Sequence, residues 1–168
     1  KEKVGRTKNP QLPQGVGIGA KGNDGVMGQV KQTPNTIGYV ELTFARANNL
    51  PAALVKNAAG TFVEPNPDTV TTAASGVLAN APADLRMQLT NAQGANAYPI
   101  SGMTYALVYR EQKDEAKGKA LVDFLWWVTH DGQAFTKDLH YAPIPADLVT
   151  RVEEKLKSVT AGGKALHP

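Results

Sequence analysis

At 168 residues with 42% hydrophobic content, the chain is long enough to bury a core and short enough to make one domain or two small ones. Charged residues make up 20% of it, and no apolar run approaches the roughly 18 to 20 residues of a membrane-spanning helix, which excludes such a span. The absence of cysteine removes disulfides, thiolate nucleophiles and sulfur-ligated metals together, and a net charge of +3 is too small to define an anionic partner.

The basic residues are scattered (Lys1, Lys3, Arg6, Lys8, then Lys21, Lys31, Arg46, Lys56) without aromatics between them, so no nucleic-acid partner is expected. Residues 1–10 hold no apolar h-region, a pattern that leaves the compartment open. The Gly- and Pro-rich stretch from Asn9 to Gly15 predicts an extended lead-in or loop. The closely spaced glycines of Gly15 to Gly22 invite comparison with a phosphate-cradling nest. They lack the Gly-Lys-Ser/Thr of a P-loop, and a flexible connection is the simpler reading.

From Asn23 the pattern turns helical, with Asn23 or Asp24 as cap and Val26, Met27 and Val30 on one face before Pro34. Ile37 to Val40 reads as a short strand, and Leu42 to Ala47 as a helix ending at Asn48-Asn49. Ala53 to Lys56 and Thr61 to Val63, joined by Asn57-Ala58-Ala59-Gly60, predict a hairpin closed off by Pro65 and Pro67. An Ala-rich helix follows over 68–78, and the stretch from Leu85 to Leu89 has no clear type.

Met103 to Tyr109 is the most strand-like run in the chain, suited to the buried centre of a sheet. Ala120 to Val128 packs apolar groups at helical spacing up to Gly132, with Phe124, Trp126 and Trp127 expected in the core. Adjacent tryptophans on a helix point about 100° apart, so they form no single sugar-stacking platform. A last helix, Ala146 to Lys157, starts after Pro145 with Leu148, Val149, Val152 and Leu156 as its buried stripe, and Ala161 to Lys164 reads as a loose tail. Strands alternating with helices indicate an α/β fold.

Lys21-Gly22-Asn23-Asp24-Gly25-Val26, Pro34-Asn35-Thr36-Ile37-Gly38-Tyr39-Val40-Glu41 and Ala47-Asn48-Asn49-Leu50, in that order, resemble signatures of the phosphate-binding receptors of ABC importers. Tyr98-Pro99-Ile100-Ser101, Phe124-Leu125-Trp126-Trp127 and Asp138-Leu139-His140-Tyr141-Ala142-Pro143-Ile144-Pro145 extend the resemblance from about Gly15 to the C-terminus. Each motif is weak alone; their combination is specific.

The resemblance implies a type II periplasmic binding protein, two-lobed, of which this chain is the C-terminal half. It places residues 1–97 in the second lobe and 98–168 in a return segment completing the first, each lobe finished by upstream segments. It implies inorganic phosphate as ligand, an N-terminal portion of the same receptor and a membrane permease as partners, a periplasmic location, and neither enzymatic activity nor a cofactor or metal. In the family the direct ligands lie in an early Thr-Phe segment, an early serine and aspartate, and an Arg-x-Asp-x-Ser-Gly-Thr motif, none of which occurs in this sequence. The cleft-facing candidates are therefore Lys21, Gly22, Asn23 and Asp24, at a helix N-terminus where amides and the helix dipole favour anions. A plain helix cap is the simpler role for Asn23 or Asp24.

The alternatives are a phosphate-ester hydrolase built on the same fold, or a non-catalytic interaction module. His130, His140 and His167 lack the spacing of a metal site, no GxSxG elbow is present, and all three histidines are expected at the surface.

Overall fold

The computed structural model describes residues 17–167, so the lead-in from Asn9 and the first glycine of the nest-like run lie outside the described residues. The chain divides into two compact units that meet between Leu50 and Pro51 in sequence.

The first unit holds α1 (Gly22–Gln32) and α2 (Leu42–Ala47), which pack on each other. Between them the expected strand Ile37 to Val40 is absent. Ile37 and Tyr39 are bare, and no strand of the described residues pairs with the segment. β-branched composition favours a strand only where a neighbour accepts its backbone hydrogen bonds, and here Gly38 instead lies against the side chains of Val26 and Val30 on α1. Past the C-cap Asn48 of α2, Asn49 closes the turn with a positive φ and a backbone bond back to Arg46.

The second unit opens with the predicted hairpin, β1 (Val55–Lys56) antiparallel to β2 (Phe62–Val63). Its turn is organised by Asn57, 6% exposed, whose carboxamide oxygen accepts from the amides of Ala59 and Thr61. The same side chain donates to the carbonyls of Gly94, Ala95 and Ala97 at 3.2, 2.9 and 3.2 Å, fastening a distant loop to the hairpin. Helix α3 (Pro67–Leu78) begins with a capping box: the Asn66 side chain accepts from the Thr69 amide, and the Thr69 hydroxyl accepts from the Asn66 amide. Pro67 occupies the first helical position, where its missing N–H costs nothing.

Residues 103–109 depart most from the sequence expectation. They form no strand, Leu107 and Tyr109 are 95% and 85% exposed, and no strand of the described residues lies alongside to complete a ladder. An apolar run becomes a central strand only when partners flank both its edges. Tyr105 still anchors the segment, its hydroxyl bonded to both the amide and the carbonyl of Met87.

β3 (Glu111–Gln112) leads into α4 (Glu115–Thr129), capped by the Asp114 carboxylate on the Lys117 amide. The helix stops before Gly132, and a 3₁₀ turn, Asp131–Phe135, is pinned by Gln133, which donates to Val128 and accepts from the Ile144 amide. Helix α5 (Ala146–Lys157) has the predicted bounds. The expected loose tail is instead a hairpin, β4 (Thr160–Ala161) against β5 (Lys164–Ala165), with β4 also parallel to β3. Gly162 and Gly163 both have positive φ, the mirror-image turn that matches strand twist and that two glycines adopt without strain.

Two cores share α5. Leu148 joins Ala74, Leu78, Met87 and Leu89, while Leu156 joins Val122, Val159, Ala161 and Leu166, and Val152 touches both. Residues 148, 152 and 156 lie one helical turn apart, so a single stripe serves both clusters. Among the described residues no helix is long and apolar enough to cross a membrane.

Candidate functional site

The four sequence candidates meet at the start of α1. Lys21 is the N-cap residue, with extended backbone and no side-chain cap bond, and Gly22 follows at a φ of 65°. Because the helix begins at Gly22, Asn23 lies inside the first turn, and the capping role expected of Asn23 or Asp24 is not the one observed. The Asn23 carboxamide turns to α2 instead: its oxygen accepts from the Glu41 amide at 3.1 Å and its nitrogen donates to the Glu41 carboxylate at 3.2 Å. Asn23 thereby ties the two helices of the first unit together.

Asp24 is exposed in the first turn, where its negative charge complements the helix dipole. That charge stands where an anion would be received, and Lys21 offsets it. The arrangement of ammonium, glycine, engaged amide and carboxylate is a nearly neutral helix start that can attract an anion only weakly.

Two arginines, the usual donors to a tetrahedral oxyanion, are committed elsewhere. Arg86 forms a two-point bond with Asp84, both nitrogens 2.7 Å from one carboxylate oxygen, which holds the Asp84 carboxyl below its ordinary range. Arg86 borders an open hollow of about 360 Å³ between the end of α3 and residues 86–93, lined by Asn80, Gln88 and Thr90 among others. The Arg110 guanidinium donates to the Ser158 carbonyl.

The histidines fall into two settings. His140 is exposed in a turn, as expected. His130 and His167 are partly buried, contrary to expectation, because both rings stack on Trp126. Trp126 packs beside the Val122 and Leu156 core, whereas Trp127 is exposed and stacks with Phe124 and tilts toward Phe135, so the expectation that both tryptophans are core holds for one of them. The two indoles do serve separate faces. No cluster of three metal-ligating side chains exists among the described residues.

Small sheets alternate with helices, as in an α/β fold. Residues 2–131 match a family model described as a PBP superfamily domain, and the chain belongs to that family, with the α/β fold of type II periplasmic binding proteins. Its relatives narrow the class further. The chain is 39% identical over 153 residues to a phosphate-binding protein PstS of Xylella fastidiosa, covering 91% of this chain and 42% of the relative. It is 40% identical over 156 residues to a PstS of Methanocaldococcus jannaschii, covering 84% and 39%, and 30% identical over 168 residues to one of Pasteurella multocida, covering 99% and 48%. The chain thus spans less than half the length of these relatives.

Proposed function

We propose that this chain is the C-terminal part of a periplasmic receptor that captures inorganic phosphate for an ABC importer, binding without chemistry on the ligand. The observation that carries the reading is the alignment of nearly the whole chain with proteins named for phosphate binding. The bare apolar groups support a partner: Leu107, Tyr109 and Phe124 (57% exposed) each lie uncovered. The N-terminal portion of the same receptor would cover them and bring the phosphate ligands this sequence lacks, with residues 1–97 completing one lobe and 98–168 the other. The membrane permease is the second partner.

A desolvated phosphate dianion must recover its lost hydration from fixed donors. Micromolar affinity corresponds to about 8 kcal/mol. A helix N-terminus such as that of α1 contributes about 0.3–1 kcal/mol, so Lys21 to Asp24 belong at the margin of the site. Titration calorimetry tests this: the intact receptor binds phosphate at micromolar concentration or below and prefers it to sulfate, while the chain alone does not. Replacing Lys21 with Ala in the intact receptor weakens binding by no more than about fivefold. Tight, sulfate-discriminating binding by the chain alone would place the site within these 168 residues. Absence of phosphate binding by the intact receptor would overturn the proposed ligand.

A further inference from the structure

Trp126 joins groups from three places in the second unit. The His130 imidazole, just past α4, lies 4.4 Å from the indole centre at 10° to its plane, and the His167 imidazole, just past β5, lies 4.0 Å away at 19°. Two rings so nearly parallel and so close to one centre cannot share a face without overlapping, so they flank the indole. From α5, Lys157 stands 5.5 Å over the same ring.

The hydrogen bonds of His130 select its charge state. Nδ1 is 2.8 Å from the Trp126 carbonyl oxygen, and Nε2 is 3.1 Å from a Glu153 carboxylate oxygen on α5. Both neighbours accept and neither can donate, so only imidazolium, with an N–H on each nitrogen, satisfies both. A neutral ring must turn a lone pair toward the carbonyl or the carboxylate. The Thr129 hydroxyl, 3.2 Å from Nδ1, is itself bonded to the Leu125 and Trp126 carbonyls. The remaining charged neighbours are Asp131, which favours the cation, and Lys157, which lies 3.7 Å from Glu153 and competes for it. His130 also occupies the C-cap of α4, where the helix dipole favours positive charge.

We propose that the His130–Trp126–His167 stack is a proton-controlled clasp: with His130 protonated it fastens the β4–β5 hairpin to α4 and α5, and on deprotonation it loosens. The hairpin is positioned to feel it. Leu166, beside His167, is buried against Val122, and its amide bonds back to Val159. An imidazolium over an indole adds cation–π attraction that the neutral ring lacks. Consistently, the Trp126 carbonyl and then Glu153 hold the His130 pKa above its ordinary value. A basic group whose folded pKa is raised contributes stability that is complete below the unfolded value, near 6.5, and is lost as pH rises through the folded value.

The test uses the intact protein, with histidine side-chain NMR and amide exchange of the Val159–Leu166 peptide corrected for intrinsic rates. We expect His130 to titrate above about 6.5, and the peptide's protection to fall through the same midpoint as pH rises. Glu153→Gln lowers both midpoints together, and His130→Gln removes the pH dependence. Should His130→Gln fail to fold, Glu153→Gln alone decides. A His130 midpoint at or below the ordinary value, equal protection on both sides of it, or a midpoint unmoved in Glu153→Gln overturns the clasp.

Discussion

Gly76 lies inside α3, where glycine ordinarily costs about 1 kcal/mol relative to alanine, so Gly76→Ala ought by propensity alone to stabilise the protein. Packing reverses the sign. A Cβ at this position would stand 2.1 Å from the Gln93 carbonyl oxygen and 3.2 Å from its carbon. Carbon–oxygen contacts need about 3.3 Å, so helix and loop must separate by roughly 1 Å. The obstacle is backbone and cannot rotate away. The loop is held from both sides, by Asn57 on Gly94, Ala95 and Ala97, and by the packing of Ala92 and Ala97 on Ala73. Overpacking of this kind costs about 1–3 kcal/mol, and a backbone clash belongs at the upper end. Net of the propensity gain, Gly76→Ala should lose about 2 kcal/mol. Urea unfolding followed by helical circular dichroism measures it as a lower midpoint at unchanged slope. Gly28→Ala in α1 is the control, since a Cβ there meets nothing within 4 Å and should gain up to about 1 kcal/mol. A midpoint for Gly76→Ala at or above the wild-type value would show that α3 and the Gln93 loop do not approach this closely.

Asn57→Asp replaces the amide that donates to three carbonyls with a buried carboxylate facing them, and should cost about 3–5 kcal/mol; a loss under 1 kcal/mol in urea unfolding would rule out that geometry. Asn66→Ala removes the acceptor for the Thr69 amide and should lower stability by about 1 kcal/mol, with fraying visible as faster amide exchange in the first turn of α3; unchanged exchange there would contradict the capping box.

Elements whose stabilising partners are local in sequence were legible from it. The stripe of Leu148, Val152 and Leu156 and the turn at Asn57 to Gly60 each state their structure within a dozen residues. The misreadings concern pairing at a distance. Residues 103–109 carry the composition of a central strand, but composition supplies no neighbour, and no strand of the described residues lies beside them. The tail failed in the other direction, since Gly162-Gly163 signals a turn whose strands are too short to stand out and are completed by Glu111 and Gln112. At the candidate site, the bond from Asn23 to Glu41 joins residues 18 apart and has no periodic signature. The stack on Trp126 likewise needs α4, α5 and the final hairpin in place before its members meet. Family membership was legible because it rests on ordered short motifs, which survive without knowledge of contacts.

The parallel pairing of β3 with β4 also fixes an order of assembly. Glu111 and Thr160, joined by a bond from the hydroxyl to the carboxylate, are 49 residues apart, and α4 and α5 fill the interval. The glycine turn lets β4 and β5 meet within microseconds, whereas β3 can receive them only after the entropy of that long closure has been met by the two helices packing on Val122 and Leu156. The three-stranded sheet is therefore a late product of folding, and substitutions in it should alter the unfolding rate far more than the folding rate.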